Sequence, residues 1–207
     1  ECIRQYPEEF INMSKVDMLI KMQHYGVPTR LLDLTKNPLI ALYFACVSDP
    51  NKDGVVYAIS GPVARSSDLY VNAITECVFN HKSHGNMYIK KCSLKIDGVD
   101  LSEDSVKSII NSETPIIFEA SLTNARIKNQ NGYFAIYRGE KNCKEIKFQH
   151  KIFVKKECKE QIIHQLSMIG IDSKYIFPDL SNGVSCIVSS IKRRNLEFNK
   201  QFHTPFD

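Results

Sequence analysis

The stretch from Leu39 to Cys46 constrains the fold most, because it is apolar at nearly every position. Thr35 or Asn37 can cap a helix there, and Pro38 suits the first helical position. A helix that is apolar on nearly every side has to be covered by other elements. The sequence therefore predicts a buried helix against which other parts of the chain pack.

The segments on either side of this helix predict helices at both ends of the chain and strands between them. Residues 1–24 have apolar side chains at intervals of three and four, which predicts one helix that Pro7 begins or breaks. The order of elements favours an α+β fold, with a mixed or antiparallel sheet flanked by helices. Strands are predicted at 29–34, 55–59 (fully buried), 116–120, 132–137 (half buried) and 147–154, and further helices at 67–80, 102–111, 157–169 and 183–194.

Composition bounds the class of protein. The 207 residues are 43% hydrophobic and 24% charged, close to globular averages, which predicts a single domain over 1–190 with a polar tail over 191–207. The net charge of +4 gives little support for a dedicated nucleic-acid binder. The longest apolar run is about half as long as a membrane helix, and the seven scattered cysteines fit a reducing cytoplasm. We therefore expect a cytoplasmic protein without a membrane segment.

The segment over 23–35, QHYGVPTRLLDLT, carries a dense set of hydrogen-bonding side chains. Arg30 is a permanent cation that can hold a carboxylate or phosphate through two parallel hydrogen bonds. Asp33 can pair with Arg30 or orient His24, and Thr35 lies just before a helix N-terminus, where anions bind well. Two interpretations stay open here: an anion-binding site, or an ion pair and a helix cap that hold the fold.

The same segment, followed by Asn37-Pro38-Leu39-x-Ala41-Leu42-x-Phe44-Ala45, resembles the central signature of the FRG domain family. The sequence RIKNQNGYF at 126–134 resembles the second block of that family. Gly170-Ile171 with FPDL at 177–180 resembles its C-terminal block. The Phe-Arg-Gly motif that names the family has no counterpart before residue 23, so we expect the chain to start downstream of it.

The resemblance implies an ADP-ribosyltransferase-like fold with a nucleotide-binding cleft and NAD as candidate substrate. Such folds carry a Ser or Thr on one strand and a Glu or Gln on a late strand. Thr35 would take the first position, and Gln130, just before the strand over 133–137, would take the second. Glu119 is the substitute for Gln130, because a carboxylate offsets developing positive charge better than an amide does. Gln130 could instead satisfy buried backbone groups at a turn. The residues implied to bind the nucleotide are Gln23, His24, Tyr25, Arg30 and Asp33.

The resemblance also implies partners: a small anionic nucleotide, and a macromolecular acceptor that is a protein or a nucleic acid. FRG domains often accompany bacterial defence and toxin systems, so such a role is expected here. The alternative is a non-catalytic module that binds nucleic acid or protein, in which the polar segment holds the fold and short basic runs contact phosphate. The sequence does not indicate an oligomeric state.

A zinc site is a further alternative. Cys77, His81, His84 and Cys92 have side chains that bind zinc, but their spacing matches no common zinc finger closely. We expect no metal.

Overall fold

The computed structural model describes residues 1–79, 94–96, 99–102, 104, 115–121, 124–136 and 148–178. Over these residues the chain has an α+β architecture with a mixed sheet. The helices are α1 (Cys2–Gln5), α2 (Lys15–His24), α3 (Pro38–Val47), α4 (Leu69–Phe79), α5 (Ala125–Asn129), α6 (Lys159–Met168) and α7 (Ser173–Ile176). The strands are β1 (Leu31–Thr35), β2 (Gly54–Ala58), β3 (Val63–Arg65), β4 (Leu94–Ile96), β5 (Val99–Leu101), β6 (Ile116–Glu119), β7 (Gly132–Ile136) and β8 (His150–Val154).

The main sheet has four strands in the order β1-β7-β6-β3. β7 runs antiparallel to both β1 and β6, whereas β3 runs parallel to β6, so the sheet is mixed. Phe134 of β7 lies opposite Phe118 of β6, and their ring centroids are 5.8 Å apart. Both rings are buried, as are Leu31 and Ile136 on the same face. Asp33 and Thr35 of β1 lie on that face too, but Asp33 is exposed and Thr35 is partly buried. The two smaller sheets pair β2 with β8 and β4 with β5.

The chain divides into two compact units. The first unit contains the four-stranded sheet with α2 and α4, whose buried side chains include Val16, Ile20 and Ile74. The second unit contains α3, α5, α6 and α7. The first comprises residues 1–36, 57–122 and 132–152, and the second comprises residues 37–56, 123–131 and 153–207.

The predicted apolar helix is confirmed as α3, but it is not covered on every side. Asn37 caps it by accepting the Leu39 N–H at 2.9 Å, and Pro38 is its first residue. Ile40 and Tyr43 pack in one cluster with side chains of α6 and α7, including Leu166. Leu39 is 39% exposed, because α3 meets these two helices along one face.

The predicted single helix over 1–24 is wrong. α1 ends at Gln5, Pro7 begins a single 3₁₀ turn (Pro7–Phe10), and Asn12 then takes a left-handed conformation with φ of 58°. A left-handed residue ends a helical path, so a new cap is needed. Ser14 supplies it by accepting the Asp17 N–H at 3.1 Å at the start of α2.

Other strands differ in their burial from the predictions. β2 was predicted to be fully buried, but only Gly54 is, since β2 pairs with β8 in a sheet of two strands. β7 was predicted to be half buried, yet Phe134, Ala135 and Ile136 are all buried, because the strand lies between β1 and β6. The three short strands β3, β4 and β5 were not predicted, since three residues show little periodicity.

Several predictions concern residues beyond the described ranges. The helix over 183–194 and the tail over 191–207 lie outside them, as does most of the helix over 102–111. The helices predicted at 67–80 and 157–169 are confirmed as α4 and α6, and Gly170 follows α6 with φ of 85°. None of the helices in the described ranges has the length and apolar character needed to cross a membrane.

Candidate functional site

The turn between α2 and β1 forms the centre of the candidate site. The Gly26 N–H donates to the Gln23 carbonyl at 2.9 Å, and the Val27 N–H donates to the Met22 carbonyl at 3.0 Å. Gly26 has φ of 81°, a left-handed conformation that glycine adopts without the steric cost of a Cβ atom. The glycine therefore ends α2 and turns the chain toward β1.

The side chain of Gln23 holds this turn in place. Its Nε2 donates to Asp33 Oδ1 at 2.7 Å, and its Oε1 accepts a hydrogen bond from the Thr29 hydroxyl. Thr29 Oγ1 in turn accepts the Leu31 N–H at 3.1 Å. One amide thus joins the last turn of α2, the loop and β1 into a single polar network.

Thr29 is a member of this network that the sequence analysis missed as a site residue. A threonine hydroxyl that accepts the N–H two residues later is a recurring turn motif. The position of Thr29 directly after Pro28 and just before a strand is the signal that could have identified it. Its hydroxyl links the local turn to Gln23, which sequence alone did not predict.

Three further predicted residues, His24, Tyr25 and Arg30, come from the same segment of the chain. The His24 and Tyr25 rings are 5.1 Å apart and nearly perpendicular at 86°, a favourable edge-to-face geometry. Tyr25 is 72% exposed. Arg30 is partly exposed and directly precedes β1. The network therefore carries one exposed aromatic ring and a nearby guanidinium on the same turn.

The sheet register places two of the three predicted catalytic residues, Thr35 and Glu119. Thr35 lies opposite Gly132 at one end of β1, and Glu119 lies opposite Tyr133 at the end of β6. Because successive residues of a strand face opposite sides, Thr35 shares a face with Asp33, whereas Glu119 projects from the other face. The sheet brings Asp33 and Thr35 to one face, and it does not bring Glu119 to that face.

Gln130 lies in the second unit, where it caps the C-terminus of α5. Its Nε2 donates to the Ile176 carbonyl at 3.0 Å, and the neighbouring Asn129 Nδ2 donates to the Tyr175 carbonyl at 2.8 Å. Ile176 is fully buried. This contact agrees with the interpretation of Gln130 as a residue that satisfies buried backbone groups.

Phe177 is the centre of a cluster in the second unit that the sequence analysis did not foresee. The Arg126 guanidinium lies 5.0 Å from the centre of its ring, and the Phe44 ring meets it edge-on at 6.0 Å. These residues come from the second, the central and the C-terminal blocks of the FRG resemblance. Each block contains an aromatic or arginine side chain, and such side chains often pack against one another. This was the sequence signal that could have indicated the cluster.

The predicted metal ligands and one of the basic runs concern residues outside the described ranges. His81, His84 and Cys92 lie outside the described ranges, as does the side chain of Cys77. The basic run over 192–194 lies outside them as well. Within the part of the chain that the structure describes, no group of three or more His, Cys, Asp or Glu side chains could hold a metal ion.

Comparison with protein families gives one match: the model of the FRG domain matches residues 3–54. This match confirms the resemblance drawn from the sequence, and it covers α1, α2, β1 and α3. The second and C-terminal blocks lie outside the matched residues, so their assignment stays a prediction. No curated protein and no solved structure matches the chain.

Proposed function

Starting from the FRG-domain match over residues 3–54, we propose that this chain binds a dinucleotide of the NAD class at the turn between α2 and β1. The observation that carries the proposal is the exposed Tyr25 on a turn that Gln23 ties to Asp33 and Thr29. A binding site gains affinity when its groups are ordered before the ligand arrives, because less conformational freedom is lost on binding. The Gln23 network provides that order.

Each side chain on the turn suits one part of such a ligand. The exposed Tyr25 ring offers a face on which the adenine or nicotinamide ring can stack, and the His24 ring braces it edge-on. The Arg30 guanidinium suits the pyrophosphate, because its planar fork matches two phosphate oxygens. Asp33, held by the Gln23 amide, suits a ribose hydroxyl.

The family resemblance further supports transfer of ADP-ribose to a macromolecular acceptor. In that reaction the bond between the nicotinamide nitrogen and ribose C1′ breaks, and neutral nicotinamide leaves with the bonding electrons. An acceptor oxygen or nitrogen bonds to C1′ and gives up its proton to solvent or to a base. Of the residues that the resemblance implies, Thr35 fits this reaction best, because it shares a face with Asp33. A bacterial defence or toxin role remains part of this proposal.

A titration of the whole chain with NAD tests the binding proposal. We expect a saturable rise in melting temperature, because a ligand that binds only the folded state stabilises it. Arg30→Ala should abolish the rise, and Tyr25→Ala should weaken it. Tyr6→Ala is the matched control, since Tyr6 is also exposed, at 60%, but lies outside the turn.

Two results would contradict the proposal. One is the absence of a saturable shift with NAD or any other dinucleotide, which would favour the non-catalytic binding module. The other is an equal loss in Tyr6→Ala and Tyr25→Ala, which would show that the turn has no special part in binding.

A further inference from the structure

A second exposed surface in the first unit combines aromatic rings with a cation. We name it the aromatic ribbon and define it by Tyr57, Phe148 and Lys151. The Tyr57 and Phe148 rings have centroids 4.2 Å apart and are tilted by 35°. The Lys151 ammonium lies 5.4 Å from the centre of the Tyr57 ring. Tyr57 is 46% exposed, and Phe148 is partly exposed.

The sequence around the aromatic ribbon is one-sided in charge. Residues 147–156, KFQHKIFVKK, contain four lysines and a histidine but no carboxylate, and two of the lysines are paired with flanking carboxylates: Lys155 with Asp53 at 2.8 Å and Lys156 with Glu157 at 4.0 Å. Residues 54–61, GVVYAISG, contain no charged side chain. The net charge of +4 for the whole chain hides this local excess. A ligand that complements the ribbon therefore carries negative charge.

We propose that the aromatic ribbon binds single-stranded nucleic acid, with a base stacked on the Tyr57 and Phe148 pair and a phosphate at Lys151. Stacking on aromatic rings and contact between lysines and the backbone are the two general features of single-strand binding. A duplex keeps its base faces stacked inside and could use only the lysines. An acidic peptide would likewise make no use of the paired rings.

Hydrogen-bonding groups adjoin the ribbon. Gln149 Nε2 donates to the Ser60 hydroxyl, and the Gln149 N–H donates to the Ala58 carbonyl at 2.9 Å. These contacts hold the residue after Phe148 against the end of β2, which fixes the position of the ring pair. The inference goes beyond NAD binding and does not depend on it.

The test measures binding of a fluorescently labelled twelve-nucleotide oligothymidylate and oligouridylate to the whole chain without NAD. We expect both to bind, with an affinity that falls as salt rises. A twelve-base-pair duplex and an oligoglutamate peptide should bind at least about tenfold more weakly, because neither offers stacked bases to the rings.

Paired variants assign the binding to the ribbon. Tyr57→Leu keeps an apolar side chain without a ring and should weaken binding about tenfold, whereas Tyr57→Phe should retain it. Lys151→Gln should weaken binding and lower its salt dependence by about one phosphate contact. Lys155→Gln removes the same charge, but the Lys155 ammonium is already paired with Asp53 at 2.8 Å. It should therefore have a smaller effect.

Three outcomes would overturn the inference. The first is no binding of either oligonucleotide at low salt, and the second is duplex or peptide binding as tight as single-strand binding. The third is an equal loss of affinity in Lys151→Gln and Lys155→Gln with no loss in Tyr57→Leu. A circular dichroism spectrum of each variant checks that it is folded. Tyr25→Ala should leave oligonucleotide binding unchanged, so that failure of the NAD proposal and failure of this one are distinguishable.

Discussion

Two glutamines at helix ends make different kinds of contact. Gln23, in the last turn of α2, bonds to the side chains of Asp33 and Thr29. Gln130, which caps α5, bonds to the main-chain carbonyl of Ile176. The first contact orders a turn that carries an exposed ring, whereas the second fixes the path of buried backbone. The contacts indicate a packing role for the cluster around Phe177, and ligand binding at the α2–β1 turn is our proposal.

The largest expected difference in stability is between variants that remove an aromatic side chain from each of the two regions. Phe177→Ala should lower the free energy of unfolding by about 2–4 kcal/mol, because it removes a ring packed between Phe44 and Arg126. Tyr25→Ala should change it by less than about 0.5 kcal/mol, since Tyr25 is largely exposed. Urea denaturation of both variants measures the difference. Similar losses in the two variants would contradict the distinction.

Two glycines sharpen the comparison further. A Cβ atom at Gly54 would collide with the Ala45 carbonyl oxygen, so Gly54→Ala should cost about 2–3 kcal/mol of stability. A Cβ atom at Gly26 would meet no atom within 4 Å, and only the left-handed backbone resists it. Gly26→Ala should therefore cost about 1 kcal/mol. Thermal denaturation ranks the two, and a larger loss at Gly26 would contradict the packing at Gly54.

The two amides should separate stability from binding. Gln130→Ala leaves the buried Ile176 carbonyl without this donor and should cost about 1 kcal/mol, with no change in NAD affinity. Gln23→Ala should cost a similar amount and also weaken NAD binding several-fold, because the turn loses its order. Denaturation and NAD titration of both variants test this pair. Loss of NAD affinity in Gln130→Ala alone would reverse the assignment.

The smallest effect concerns an exposed ion pair in the second unit. The Lys155 ammonium and then the Lys156 N–H lower the pKa of the Asp53 carboxyl. A lowered pKa in the folded state means that the pair stabilises the fold above about pH 4, and that this contribution is lost as the pH falls through the lowered pKa. Asp53→Asn should slightly flatten the fall in melting temperature between pH 6 and pH 3. An unchanged profile would show that the pair contributes nothing measurable.

Local signals predicted several features of the fold correctly. The Asn37 cap, Pro38 at the start of α3, the Gly170 stop after α6 and the strand at β7 follow from a few adjacent residues. The break at Asn12 was not predictable, because asparagine adopts a left-handed conformation in only some contexts. β7 is buried because it lies between β1 and β6 in the sheet. The alternation of apolar residues along one strand does not show which strands will be its neighbours.

The candidate site was predicted in composition but not in geometry. The sequence identified Gln23 and Asp33, yet it offered Arg30 or His24 as the partner of Asp33 rather than Gln23. The opposite faces of Thr35 and Glu119 follow only from the pairing register. The bond from Gln130 to Ile176 joins residues that are 46 positions apart, beyond what local patterns describe.

The affinity of the whole chain for NAD, measured by isothermal titration calorimetry in the wild type, Arg30→Ala and Gln130→Ala, tests the central claim most directly. Binding at the α2–β1 turn predicts one saturable site in the wild type, an equal affinity in Gln130→Ala, and a loss of at least about tenfold in Arg30→Ala. Equal binding by Arg30→Ala and the wild type, or no NAD binding by the wild type, would contradict it.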